Sequence, residues 1–194
     1  MSTAAEACRT DHRLRIVAFD RGGVASSSQC GLPYLIGGLV PDTSHLIART
    51  VEQFSRQDTD VRLDNEIVAI DPARQVVQVR DVAGGAERAE PYDRLMIATS
   101  ASPVRLSIPG LDLDGVFTLD VLEDALALQA YLTRRHPQKA VVIGAGYIAL
   151  EMVENQARLA LEVHVIQRGD QVFPTIDSDM PACCHRNSND TVWT

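Results

Sequence analysis

Positive charge and aromatic side chains are both scarce in this chain. Among its 194 residues are 18 lysines and arginines against 26 aspartates and glutamates, giving a formal net charge of −8, and aromatic residues make up 5%. A net negative charge opposes binding to nucleic-acid phosphates and to anionic membrane surfaces. The sequence also lacks any apolar run close to the roughly 20 residues that a membrane span requires. We therefore expect neither a nucleic-acid partner nor a membrane partner.

Cysteine is also scarce, and its distribution argues against two common roles. The chain has four cysteines, and its N-terminus lacks the charged-then-apolar pattern of a secretory signal. We therefore expect a cytoplasmic protein with reduced thiols rather than a disulfide framework. Cys183, Cys184 and His185 make a poor tetrahedral zinc site, because two of the ligands are adjacent and no second ligand pair follows. We expect no metal there, only a disordered polar tail.

The residues that are present predict a folded domain in which helices and strands alternate. With 45% hydrophobic residues the chain can bury a core, and its length suggests one or two domains of roughly 150 residues each. A pair of glycines at 84–85 predicts a hairpin-like loop, and prolines at 103 and 109 mark a connection between domains. The predicted elements are a helix over 3–9, a strand over 16–19, a helix over 43–57, strands within 61–70, 75–80 and 92–100, and a helix over 122–132.

Cys30 stands among small and turn-forming residues. Gly31, Pro33, Gly37 and Gly38 let the backbone come close to a flat or charged group without a side chain in the way. A buried structural cysteine more often has bulky apolar neighbours. A thiol at a turn that opens a helix can be held as a thiolate, because a helix N-terminus favours negative charge. The pattern indicates a reactive cysteine, with an ordinary structural cysteine as the alternative.

A second segment has the order of a dinucleotide-binding unit. Four apolar residues, 140–143, predict a buried parallel strand, and Gly144, Gly146 and Ala149 follow in the G-x-G-x-x-A spacing. The first glycine allows a tight turn, the second lets the backbone approach a pyrophosphate, and the small third residue lets the next helix lie close to the strand. A helix through 150–160 and a strand over 161–166 complete the βαβ unit.

The ends of two predicted strands carry the candidates for ribose recognition. An acid normally follows the glycines by about 20 residues and binds the adenosine ribose. Here Gln167 and Arg168 occupy that position. Gln167 can hydrogen-bond a hydroxyl, whereas Arg168 can pair with a 2′-phosphate or be a solvated loop charge, so NADH and NADPH both stay open. Asp20 ends the strand over 16–19, either as a ribose-binding acid or as a simple terminating carboxylate.

A series of short stretches occurs in an order typical of one enzyme family. The stretches are Phe19–Arg21, Gln29–Tyr34, Ile67–Asp71, Ile97–Ser100, Ala101–Pro103, Ile108–Gly110, Leu122–Ala125 and Gly144–Glu151. From about Ala4 to Met180 the chain resembles the flavoprotein pyridine nucleotide-disulfide oxidoreductases. The single Cys30, in place of a C-x4-C pair, points to the branch that contains coenzyme A-disulfide reductase, NADH oxidase and NADH peroxidase.

This resemblance implies an FAD- and NAD(P)H-dependent oxidoreductase. Hydride would pass from the nicotinamide through FAD, and electrons would reach the sulfur of Cys30. In the coenzyme A branch that sulfur cycles through a mixed disulfide, and in the oxidase and peroxidase branch through a sulfenic acid. The implied substrate is a small-molecule disulfide such as coenzyme A disulfide. Oxygen or peroxide is the alternative acceptor, and a non-catalytic nucleotide-binding remnant is a further alternative.

Matching positions imply further site residues. Arg9 is one of them, and an arginine suits the phosphates of coenzyme A. Gln29 stands where the family has asparagine, and Ser100 where it usually has glycine. The implied cofactor-binding residues are Asp20, Arg21, Val68, Ala98, Thr99, Ser100, Gly144, Gly146, Tyr147, Ile148, Ala149, Glu151, Gln167 and Arg168, and the implied substrate-binding residues are Arg9, Ser26 and Gln29.

The implied fold is α/β, a Rossmann-like FAD/NAD(P)-binding fold with three layers and parallel sheets, incomplete at both ends. We expect residues 1–115 to form a partial FAD-binding domain that lacks its first strand and glycine turn. Residues 116–180 would form the first half of an NAD(P)-binding domain, and 181–194 an aberrant or disordered tail. Full-length relatives would be homodimers. A sheet without that strand leaves edges uncovered, so we expect marginal stability.

Overall fold

A computed structural model describes residues 1–169, 171–173 and 177, and the backbone of 192–193. The described residues group into two compact units, residues 1–28 with 47–101, and residues 29–46 with those from 102 onward. The elements are α1 Ser2–Thr10, β1 Ile16–Phe19, α2 Leu32–Ile36, α3 Val51–Ser55, β2 Thr59–Arg62, β3 Asn65–Asp71, β4 Val76–Asp81, β5 Glu87–Pro91, α4 Leu122–Arg135, β6 Lys139–Ile143, α5 Tyr147–Arg158, β7 Glu162–Ile166 and β8 Val192–Trp193.

The first unit combines a parallel strand pair with an antiparallel meander. β1 pairs in parallel with β2, and β3, β4 and β5 pair antiparallel in that order. Phe54 of α3 is 1% exposed and packs with Ala25 and Val61 in the core of this unit. Arg62 binds carboxylates of both Asp60 and Glu90, which raise the pKa of its guanidinium and tie β2 to β5.

The predicted helix over 43–57 is wrong in its middle. Only a short 3₁₀ segment, Thr43–Leu46, and α3 are helical. Between them Ile47 forms a β-bridge with Ser27, so this stretch pairs its backbone instead of continuing the helix. Thr50 then starts α3 with a capping box, in which its hydroxyl accepts from the Gln53 N–H and the Gln53 side chain accepts from the Thr50 N–H.

The predicted strand over 92–100 is also wrong. The Tyr92 N–H donates to the Gln75 carbonyl at 2.9 Å, but the segment beyond it forms no strand within the described residues. Its apolar side chains are exposed, with Met96 at 64%. A strand requires a neighbour that supplies ladder hydrogen bonds, and β-forming residues alone do not provide one.

The second unit contains the βαβ arrangement that the glycine pattern predicts, but its first strand is not buried as predicted, because Val141 and Ile143 are 58% and 53% exposed. β6 and β7 pair in parallel in register from Lys139 with Glu162 to Ile143 with Ile166, and α5 connects them. α5 packs on this sheet through a core that includes Val153, Val163 and Val165. α2 packs against both α4 and α5. Mixed α/β structure with parallel sheets confirms the predicted fold class.

The domain boundaries near 115 and 180 stay predictions. Of the predicted tail over 181–194, only the backbone of residues 192–193 lies within the described residues, where β8 pairs in parallel with β7. Cys183, Cys184 and His185 lie outside them. Among the helices that the structure describes, none has the length and the apolar composition that crossing a bilayer requires.

Phe54→Ala should lower the free energy of unfolding by about 3–5 kcal/mol, because a fully buried ring leaves a cavity when it is removed. Val82→Ala is the control, since Val82 is 52% exposed in the same unit and its truncation should change stability by less than about 0.5 kcal/mol. Urea denaturation followed by circular dichroism measures both. Equal effects of the two substitutions would contradict this assignment of the core.

Candidate functional site

The turn between β6 and α5 has the shape that binding a pyrophosphate requires. Gly144 has φ +102°, a left-handed conformation that favours glycine, and its N–H donates to the Ile166 carbonyl at 2.8 Å. Gly146 is the N-cap of α5, and a Cβ built on it would meet no described atom within 4 Å. Among the described residues, none therefore fills the space above Gly146.

The N-terminus of α5 carries no competing anion. Gly146 makes no side-chain capping bond, and the first turn contains no acidic residue. The first N–H groups of a helix and its dipole together favour a bound phosphate. Tyr147 is 61% exposed, and its ring lies 4.8 Å from that of Phe173 at a tilt of 49°. Ile148 is exposed as well, whereas Ala149 and Glu151 are half-buried. The residues present thus fit a dinucleotide.

The two candidate residues for ribose recognition follow the last residue of β7. Gln167 is half-buried, with its Nε2 at 3.5 Å from the Gln171 carbonyl oxygen, whereas Arg168 is exposed. At the opposite end of β7, hydrogen bonds from Lys139 and His164 lower the pKa of Glu162. Because Glu162 begins the strand that the candidate residues follow, it lies away from the glycine turn.

Cys30 is exposed, in a 3₁₀ segment, Gln29–Gly31, that leads directly into α2. Its Sγ is therefore accessible from outside the unit, as a nucleophile requires. α2 buries Leu32, Pro33, Leu35 and Ile36. α2, which begins two residues after Cys30, and α5, which starts at the glycine turn, belong to one unit and pack against each other.

The predicted flavin-binding residues of the first unit lie mostly at its surface. The Asp20 carboxylate directly follows β1 and accepts the Gly22 N–H at 2.8 Å. Ser100 has φ +59°, so the left-handed position where relatives usually have glycine holds a serine here. Arg21, Val68, Ala98, Thr99 and Ser100 are all exposed. Their role in binding FAD stays a prediction.

A basic cavity of about 300 Å³ opens beside α1 in the first unit. Arg9 is the one predicted substrate residue among those that line it, and its guanidinium also pairs with Glu6. Ser26 is half-buried and Gln29 exposed, and neither lines the cavity. Sequence reasoning missed most of the lining, because α1 and both ends of α3 supply it. The lining residues are Ala5, Cys8, Arg9, His12, Arg49, Arg56, Gln57 and Asp58.

Metal ligands are not gathered anywhere in the described part of the chain. Within residues 1–169, 171–173 and 177, no group of three or more histidine, cysteine, aspartate or glutamate side chains could hold a metal ion. The candidate groups are therefore the Cys30 thiol and the glycine turn in the second unit and, in the first unit, a cavity lined by arginines.

The chain is similar to known proteins over most of its length. A family model described as pyridine nucleotide-disulphide oxidoreductase matches residues 1–191. A coenzyme A disulfide reductase of Staphylococcus aureus is 34% identical over 178 residues, which are 91% of this chain and 40% of the relative. The chain thus spans about 40% of the length of the curated relatives it matches.

Two solved structures have the same fold over the whole chain. One is that of reduced Bacillus anthracis CoADR-RHD, with a TM-score of 0.96, 34% identity, and coverage of 100% of this chain and 35% of that one. The other is a water-forming NADH oxidase from Lactobacillus brevis bound to NADH, with a TM-score of 0.90 and 27% identity. The match covers 100% of this chain and 43% of the oxidase.

Gly146→Ala should leave the fold intact and weaken NADPH binding by about tenfold (~1.4 kcal/mol), because its Cβ fills the open space above the turn. Gly144→Ala should instead lower stability by about 1–2 kcal/mol, because it forces a left-handed conformation on alanine. NADPH fluorescence measures affinity, and thermal unfolding measures stability.

The matched control is Gly23→Ala. A Cβ on Gly23 would also meet no described atom within 4 Å, and Gly23 lies in the other unit. We expect Gly23→Ala to change neither the affinity for NADPH nor the thermal stability. Unchanged NADPH affinity in Gly146→Ala would contradict the assignment of the turn.

Proposed function

The chain belongs to the pyridine nucleotide-disulphide oxidoreductase family, and on that premise we propose that it carries the thiol and the nicotinamide-binding turn of a flavoprotein that reduces a small-molecule disulfide. The proposed substrate is of the coenzyme A disulfide class. The observation that supports it most is the exposed Cys30 two residues before α2, a helix that packs against the helix of the glycine turn.

FAD and NAD(P)H are the cofactors characteristic of this family. In this chain Gly144, Gly146 and the N-terminus of α5 would hold the nicotinamide dinucleotide, and Asp20 and Ser100 are proposed to contact FAD. When bound, these groups supply the two electrons that return an oxidised sulfur to the thiolate. FAD, NAD(P)H and Cys30 would then form one electron path.

Cys30 is the proposed nucleophile. Its thiolate attacks one sulfur of the disulfide, a new S–S bond joins Cys30 to half of the substrate, and the other half leaves as a thiolate. Two electrons then cleave this mixed disulfide and release the second thiol. Exposure of Cys30 gives a disulfide the in-line access that this exchange requires.

The basic cavity supports an anionic substrate. Arg9, Arg49 and Arg56 line it, and guanidinium groups bind phosphates through paired hydrogen bonds. Coenzyme A carries phosphates, and these suit the arginines of this cavity. Ser26 and Gln29 are proposed as further substrate contacts. A cytoplasmic location and a homodimeric full-length form remain predictions.

Reduction of oxygen or peroxide through a sulfenic acid at Cys30 is the second candidate. The similarity to a water-forming NADH oxidase favours it. Gln167 and Arg168 leave NADH and NADPH both open. The arginine-lined cavity favours the disulfide, because neither oxygen nor peroxide carries a charge that arginines would bind.

Cys30→Ser should lower coenzyme A disulfide turnover by about 100-fold or more, because the exchange needs a sulfur nucleophile. Purified protein is first tested for a flavin spectrum, and NAD(P)H consumption is then measured with coenzyme A disulfide, oxygen and hydrogen peroxide. Cys183→Ser is the control and should keep its activity. Unchanged disulfide turnover in Cys30→Ser would exclude this mechanism, and colourless protein that takes up no flavin would favour the non-catalytic alternative.

Arg9→Gln should weaken coenzyme A binding by about tenfold (~1.4 kcal/mol) and reduce its salt dependence, because one charge–phosphate contact is lost. Arg74→Gln is the matched control, since Arg74 is exposed and pairs with Asp71 outside the cavity. Calorimetric titration with coenzyme A at low and high salt measures both. Equal affinities for the two variants would rule out the cavity as the coenzyme A site.

A further inference from the structure

Two neighbouring glycines at the end of α2 are required for different reasons. Gly38 has φ +74°, and its missing Cβ would meet no described atom within 4 Å, so only its backbone conformation demands glycine. Gly37 has φ −74° and ψ −1°, which any residue adopts. A Cβ on Gly37, however, would lie 2.2 Å from Oδ1 of Asn155. Glycine is needed at position 37 because α5 approaches so closely.

Asn155 is an unusual residue for its position. It lies within α5 and is 0% exposed. Its Nδ2 donates to the Glu151 carbonyl at 2.8 Å, but its Oδ1 has no hydrogen-bond partner among the described residues. A buried acceptor without a partner lowers stability, and asparagine is a weak helix former. Two penalties at one position indicate a constraint from the neighbour that Asn155 contacts.

That neighbour belongs to the segment that carries Cys30. A Cβ on Gly31, the residue after Cys30, would lie 2.3 Å from Cδ2 of Leu46, so the N-terminal end of α2 is also tightly packed. Nε2 of Gln129 donates to the Leu35 carbonyl at 3.2 Å. At the C-terminal end of α2, the side chain of Asn155 packs against Gly37. α2 is therefore fixed at both ends and in its middle.

We propose that Asn155 is a positioning residue for the Cys30 thiol. Its buried amide, hydrogen-bonded within α5 and packed on Gly37, sets where α2 lies and thereby where Cys30 presents its sulfur. The inference rests on the proposed role of Cys30 as the reactive thiol. If this proposal holds, α5 has two roles: its N-terminus forms part of the glycine turn, and its Asn155 positions the Cys30 thiol.

Asn155→Ser is the test variant. A serine hydroxyl can still donate to the Glu151 carbonyl, as serines within helices commonly do, but it loses the atoms that reach toward Gly37. We expect the rate constant for alkylation of Cys30 by iodoacetamide to change by about threefold or more, together with its pH profile, because thiol reactivity depends on its surroundings. Mass spectrometry of the peptide that contains Cys30 measures this rate without flavin, nicotinamide or disulfide.

Gln156→Ser is the matched control. Gln156 is the next residue of α5, is also buried, and its Oε1 also has no hydrogen-bond partner among the described residues. Both variants lose a buried amide, so a merely structural effect would change Cys30 alkylation equally in both. Equal alkylation in Asn155→Ser and the unaltered protein, or equal changes in the two variants, would overturn the proposal. So would a loss of helical circular dichroism in Asn155→Ser alone.

The contact can also be tested from the other side. Gly37→Ala should shift Cys30 alkylation, because its Cβ displaces α2 from Asn155. Combining Gly37→Ala with Asn155→Ser should restore part of the shift, since Oδ1, the atom nearest to the added Cβ, is gone, while the Cβ of residue 155 stays at 2.8 Å and the serine Oγ replaces Cγ. Additive effects of the two substitutions would contradict a direct contact. Failure of these tests would leave the proposed chemistry of Cys30 standing.

Discussion

Close approach of α2 to α5 is the constraint on which the candidate site depends. Gly37 has no Cβ, and the side chain of Asn155 lies where that Cβ would be. Any larger residue at 37 would push the two helices apart. The N-terminus of α5 holds the glycine turn, and the residue two before α2 is Cys30. One contact between the Gly37 backbone and the buried Asn155 amide therefore holds together the helix that follows Cys30 and the helix that starts at the glycine turn.

The second feature of the molecule is its distribution of charge, because two places in this acidic chain are poor in negative side chains or rich in arginine. The net charge is −8, yet the first turn of α5 has no acidic residue and the cavity beside α1 is lined by three arginines. Anions are therefore attracted to these places and repelled from much of the remaining surface. Dinucleotides and coenzyme A, the proposed cofactor and the proposed substrate class, both carry phosphates that such places would attract.

The sequence predicts best where partners are close along the chain. The β6–α5–β7 unit is confirmed because strand, turn and helix interact with their immediate neighbours, and the positive φ of Gly144 fits its place in the motif. The helix over 43–57 fails because Ile47 pairs with the distant Ser27. The arginine cavity was missed, since Arg49 and Arg56 meet Arg9 only after folding. Contacts between segments that are distant along the chain thus determine features of the structure that local sequence patterns do not predict.

The central claim is that Cys30 and the glycine turn serve one redox reaction. Mass spectrometry of the Cys30 peptide tests it most directly, in protein supplied with FAD and incubated with coenzyme A disulfide, before and after NADPH is added. We predict that a mixed disulfide of coenzyme A forms on Cys30 and that NADPH removes it in the unaltered protein. In Gly146→Ala protein at limiting NADPH, the same mixed disulfide should persist. An unmodified Cys30, or an adduct that NADPH leaves in place, would contradict the claim.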